Sequence, residues 1–185
     1  MGSVASKSSS RRKHKGGPLP PPLPPKPLDP RIKLDPKEKF YLQKSWKTVA
    51  RNEDVAAMTM FISLFRSSPE IKEKWPQLRK LSEDEMRGSP YLQKLSVRIL
   101  GAMDHVIDSL DDPDYLIPAL EKLGQMHADM TNPVILPEDL WKLEGPFLIA
   151  VGEVLEDRFT RKYRDIYQKF IIFVLESIVI GFDPH

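Results

Sequence analysis

The sequence predicts an all-α fold, and three observations predict it. First, helix starts are marked by a capping residue followed by proline or by acids: Asp35-Pro36-Lys37-Glu38, Ser68-Pro69-Glu70, Ser82-Glu83-Asp84-Glu85 and Ser89-Pro90. A Ser or Asp oxygen accepts from the free N–H groups of a first helical turn, and a proline placed there removes an N–H that has no helical partner. Second, apolar residues recur at three- and four-residue steps, which lines them along one helix face. Third, from residue 35 onward no hairpin dipeptide and no alternating apolar-polar run marks a strand.

Taken in order, the expected helices cover 36–51 and 54–67, a short turn at 69–75, a weaker one at 82–87, and then 90–110, 114–130, 137–158 and 160–180. In 90–110 the apolar row is Leu92, Leu95, Ile99, Met103, Val106 and Leu110. In 137–158 it is Leu140, Leu143, Phe147, Val151 and Val154, and in 160–180 it is Tyr163, Tyr167, Phe170, Val174 and Ile178. These rows specify a packed helical core and no chemistry by themselves.

The 185 residues suffice for one domain, expected over 35–185, behind a disordered tail over 1–34. The chain has no cysteine, which excludes disulfides, thiolate metal sites and cysteine nucleophiles and fits a reducing compartment. Its greasiest stretch, 170–180, is too short to span a bilayer and contains Glu176 and Ser177. The first 15 residues have no apolar core, so no cleavable signal peptide is expected. Net charge is +2, yet the first 35 residues alone carry +6, leaving −4 for the rest. Such a tail suits an anionic partner, either lipid headgroups or nucleic acid. Nucleic-acid binding is not expected, because aromatic residues are not interleaved with the basic ones.

The tail opens Met1-Gly2-Ser3-Val4-Ala5-Ser6, which fits the pattern for myristoylation of Gly2. One myristoyl chain binds membranes only marginally, and palmitate is impossible without cysteine. Lys7 and the cluster Arg11-Arg12-Lys13-His14-Lys15 can supply the second signal, at about 1 kcal/mol per cation near an anionic leaflet. A chance coincidence of Gly2 with Ser6 is the other reading. Residues 16–27 are dominated by proline and favour polyproline II. Within them Pro21-Pro22-Leu23-Pro24-Pro25-Lys26 fits the PxxPxK ligand of SH3 domains, and the same run also serves as a stiff spacer. The expected location is the cytoplasm, at the inner face of the plasma membrane.

One residue breaks the apolar pattern. In 114–130 the row reads Leu116, Leu120, Leu123, His127, Met130, which puts an imidazole in a core slot. A buried imidazole without a partner costs about 1–3 kcal/mol. On the residues alone His127 is either a satisfied core histidine or a ligand. His14 lies in the tail, His185 ends the chain, and His105 falls on the polar side of its helix, so no second histidine shares a face with His127. Zinc and di-iron sites need more donors than that. A lone imidazole suits a cofactor that brings its other ligands, as haem does with four nitrogens.

Several segments, in order along 36–185, resemble the globin family. Lys44-Ser45-Trp46 resembles the first globin helix, and the run from Phe61 through Pro69 and Glu70 resembles the second helix entering the third. Leu123-Gly124-Gln125-Met126-His127-Ala128 is similar to the proximal-histidine segment, and Pro137-Glu138-Asp139-Leu140-Trp141 to the start of the penultimate helix. The resemblance implies a globin fold of about seven to eight helices around a haem pocket. It also implies haem b as cofactor and His127 as its protein ligand. It places Trp75 where globins carry a phenylalanine on the haem face, Leu95 at the distal-histidine position, and Phe61 and Ile99 at other distal positions. Arg98 falls one turn on, where it either reaches bound ligand or stays on the surface.

Leu95 in place of a distal imidazole implies five-coordinate ferrous iron open to O2, NO or CO. The closest resemblance is to invertebrate, nematode-like globins with N-terminal extensions, which implies gas or redox signalling at a membrane. The alternatives are a haem-free adaptor acting through its proline-rich tail, and an NO dioxygenase or peroxidase-like enzyme.

Overall fold

The computed structural model describes residues 29–183; Gly2, the basic cluster, the SH3-type motif, His14 and His185 lie outside the described residues. Nine α-helices and no strand occur among the described residues. They are α1 (Pro36–Ala50), α2 (Glu53–Ser67), α3 (Pro69–Glu73), α4 (Glu83–Arg87), α5 (Pro90–Asp108), α6 (Pro113–Ala128), α7 (Pro137–Trp141), α8 (Glu144–Leu155) and α9 (Arg161–Ile180).

Three of the four caps read from the sequence form, and Ser68 precedes α3 without a side-chain cap bond. Asp35 accepts from the Glu38 N–H at 2.8 Å while Glu38 accepts from the Asp35 N–H at 3.0 Å. Ser82 and Glu85 make the same reciprocal pair, and the Ser89 hydroxyl caps α5. The single helix expected over 137–158 is divided. Pro146 cannot donate to the Lys142 carbonyl four residues back, and its ring clashes there, so the chain breaks between Trp141 and Glu144. After α8 a 3-10 turn over Glu156–Arg158 closes the element, with Glu156 at φ 50, in the left-handed region. The packed body also begins before Asp35: Ile32 and Leu34 are buried in the core, and Lys33 pairs with Glu176 of α9 at 3.5 Å.

The core is built by α2 resting on α8 and α5, by α1 across α5, α8 and α9, and by α6 on α9. Phe147, Tyr167 and Phe170 meet at its centre with ring centroids 6.1–6.2 Å apart. Trp46 stacks on Phe147 and donates its indole N–H to Asp104 at 2.8 Å, which fixes α1 against α5. Tyr167 is fully buried with its hydroxyl 3.0 Å from that of Ser45, and burial pushes the phenol well above its usual range.

α6 and α9 cross backbone against backbone. A Cβ on Gly124 would lie 1.8 Å from the Ile178 carbonyl oxygen, and one on Gly181 would lie 1.8 Å from the Glu121 carbonyl oxygen. Each helix end therefore presents a glycine to the other's backbone. Backbone atoms cannot step aside as a side chain can. Gly124→Ala should cost about 3 kcal/mol, near the upper end for overpacking. That corresponds to a fall in Tm of about 6–12 °C for a domain of this size, measured by thermal unfolding; an unchanged Tm would contradict the close crossing.

Candidate functional site

α5 rests on α1, α2 and α4, whereas α6 rests on α9, and the two have no comparable packing on each other although they are consecutive. Each keeps an incompletely covered row. On α5, Tyr91, Leu95, Ile99 and Met103 recur every fourth residue and are half-buried, while Leu92, Ser96 and Leu100 beside them are buried. On α6, Leu123 and His127 are half-buried, while Leu116, Leu120 and Gly124 are buried. The α5 row is largely apolar, and the α6 row carries an imidazole.

His127 sits in the last turn of α6, three residues after Gly124, so the glycine crossing sets its position. Its Nδ1 lies 2.8 Å from the Leu123 carbonyl oxygen. A carbonyl only accepts, so Nδ1 carries a proton, and in the neutral imidazole the lone pair is then on Nε2. No partner of Nε2 occurs among the described residues. A neutral imidazole whose Nδ1–H is held by a carbonyl is the form in which histidine ligates a metal. Histidine in the core is thus satisfied through one nitrogen and free at the other.

Trp75 lies just beyond α3 and packs edge-on against Tyr91, with ring centroids 6.2 Å apart. Its Nε1 is buried and has no hydrogen-bond partner. An orphaned donor of this kind costs about 1–3 kcal/mol unless a bound group supplies an acceptor. Lys74, the preceding residue, pairs with Asp139, which is 5% exposed and also accepts from the Leu136 N–H at 2.9 Å. Lys142 bonds Glu70 at 2.7 Å in the same group. These ion pairs tie the Trp75 corner to α7 across 65 residues of sequence.

Of the residues singled out from sequence, Leu95 and Ile99 share the half-buried row of α5, Trp75 abuts that row through Tyr91, and His127 stands on α6. Phe61 is 2% exposed in the core of α2, tilted against Phe65 at 5.8 Å. Arg98 is exposed and lines a groove between α5 and α2. His105 is exposed, as expected, and lies 2.9 Å from the Tyr115 hydroxyl. Sequence reasoning did not find Lys74 and Asp139, whose pairing is long-range. It also passed over Gly124, whose signal was a glycine inside an otherwise apolar helical row.

Among the described residues no three His, Asp or Glu side chains cluster to hold a metal by themselves. A metal carried in a macrocycle asks for one donor, and His127 offers one from the half-buried face of α6. The Globin family model matches residues 58–178. The chain belongs to the globin family.

Relatives of this globin include Cytoglobin-1 of Oryzias latipes, 26% identical over 148 residues that span 78% of this chain and 81% of the relative. Another is the minor globin of Anadara trapezia, 30% identical over 121 residues, 65% of this chain and 76% of the relative. Among solved structures, a hexacoordinated haem protein from an anhydrobiotic tardigrade superposes with TM-score 0.78 at 28% identity, covering 83% of this chain and 98% of that one. The protein is a haem-binding globin, with haem iron as its metal and O2 and related gases as the ligands of that haem.

Removal of the one available nitrogen gives a direct check. His127→Gly should fail to retain haem through gel filtration, and added imidazole should restore retention by occupying the vacated space; retention by the unsupplemented variant would remove His127 from the role of ligand.

Proposed function

We propose that this globin binds diatomic gas at a five-coordinate ferrous haem held by His127, and that it serves gas or redox signalling at the cytoplasmic face of a membrane. The observation that carries the haem part of this reading is one ligand-ready nitrogen on α6 together with Leu95 and Ile99 on α5, which offer no donor. His127 Nε2 has its lone pair available. Leu95 and Ile99, in the half-buried row of α5, carry only hydrocarbon. The haem supplies the iron and its gas-binding chemistry. The chain's own residues hold it, exclude water and decide which gas is favoured.

Leu95 cannot act as a sixth ligand and cannot donate a hydrogen bond. A donor to polarised O2 is worth about 1–3 kcal/mol. CO and NO depend less on one, so an apolar face shifts preference away from O2 storage. Arg98 lines the groove between α2 and α5, and this reading gives it no part in holding bound gas. His127 is kept fixed by Leu123 and by the α6–α9 crossing, and Trp75 by its contact with Tyr91 and by the adjoining Lys74–Asp139 pair.

The membrane part rests on the tail: Gly2 with Ser6, the basic cluster at 11–15, and the proline-rich run that can space the domain from a surface or dock an SH3 domain. No described helix is long and apolar enough to cross a membrane, so attachment falls to that segment.

Two variants test the two parts. Leu95→Gln should slow O2 dissociation by about 5- to 150-fold, the kinetic equivalent of 1–3 kcal/mol, whereas Arg98→Ala should leave it unchanged; stopped-flow displacement by CO reads both, and faster loss from Arg98→Ala would put that side chain in the pocket. Gly2→Ala should move the protein from the membrane to the soluble fraction of expressing cells, and undiminished membrane association would remove the acyl anchor.

A further inference from the structure

A groove of about 870 Å³ runs between α5 and α2. Its ribs are apolar: Val55 and Val97 are each about half exposed, and Met58 and Pro90 lie beside them. Around it stand Arg87, Lys94 and Arg98, with Asp54 as the one acid in the lining. No ion pair among the described residues engages any of these four. Glu83, whose charge is felt by Arg87, is already held by Arg66 through bonds of 3.1 and 2.7 Å. Ser96 lines the groove, is 4% exposed, and has a buried hydroxyl with no partner. A serine within a helix ordinarily bonds back to a carbonyl one turn earlier or points to water. This one does neither.

We propose that the groove between α2 and α5 binds the anion of a single-chain fatty acid, its carboxylate among Arg87, Lys94 and Arg98 and its chain along Val55, Met58 and Val97. Three features select that ligand. The excess of cations over Asp54 calls for an anion. The exposed valines call for an aliphatic body, because their burial is worth about 25 cal/mol per Å². The volume lies in the range of pockets that enclose one small ligand, with room for a single chain. A basic peptide, including the chain's own +6 tail, meets the wrong charge here. Neither His127 nor the half-buried row of α5 is in its lining, so it does not depend on the haem assignment.

The test is titration of the CO-bound ferrous holoprotein with decanoate carrying a 13C-labelled carboxylate, kept below micelle formation and followed by carbon NMR. One saturable site is expected, with the Soret band unmoved. Val97→Asp and, separately, the triple change Arg87→Gln, Lys94→Gln and Arg98→Gln should each weaken binding by about tenfold or more, since tenfold is only about 1.4 kcal/mol. Decanol should bind at least as poorly as decanoate does to the triple variant. Equal affinity in the variants, binding that shifts the Soret band or expels haem, or association only with anionic phospholipid vesicles would each overturn the proposal.

Discussion

The site depends on a backbone-to-backbone contact. Gly124 and Gly181 let α6 and α9 approach until a carbonyl of each occupies the volume of the other's missing Cβ. Glycine in a helix interior costs about 1 kcal/mol relative to alanine, and here that cost fixes the height and rotation of α6. His127, three residues on, inherits the placement. With α6 drawn onto α9 and α5 held against α1 and α2, the two consecutive helices are committed to different partners. Each keeps a row that neither partner fully covers.

Within that frame, the division of labour follows from chemistry already in the chain. The Leu123 carbonyl takes the Nδ1 proton and so chooses the tautomer that leaves Nε2 free. Buried ion pairs are weak evidence for stability, because desolvation offsets their attraction. The Lys74–Asp139 pair is better understood as a device that fixes geometry: it joins the Trp75 corner to the start of α7, two segments with no sequence proximity. In the α5 row Leu95, Ile99 and Met103 contribute shape and dryness and no hydrogen-bond donor.

Much of this was legible in the sequence, and the parts that were not share a cause. The capped starts at Asp35, Ser82 and Ser89 are local events among neighbouring residues, and they formed as read. The apolar rows pointed to the correct helix faces, and His127 stood out because it interrupted one of them. The division at Pro146 was also local; the apolar periodicity running through 137–158 masked it. Ile32 and Leu34 belong to no periodic row, so their burial ahead of α1 had no signal. Lys74 with Asp139, and Gly124 with Gly181, are partners only after folding. Arg98 lay at the edge of its helical face, where a few tens of degrees decide between the half-buried row and the groove beside α2, and side-chain pattern alone does not resolve that angle.

A single ligand-ready imidazole nitrogen, with Leu95 in place of a second ligand, is read most directly by the visible absorption spectrum of the purified protein, oxidised and then reduced with dithionite. The account predicts a Soret band and, in the reduced form, a single broad visible band of five-coordinate iron. Sharp, split visible bands in the reduced protein would mean that a second side chain reaches the iron, and would contradict the assignment of an open distal face.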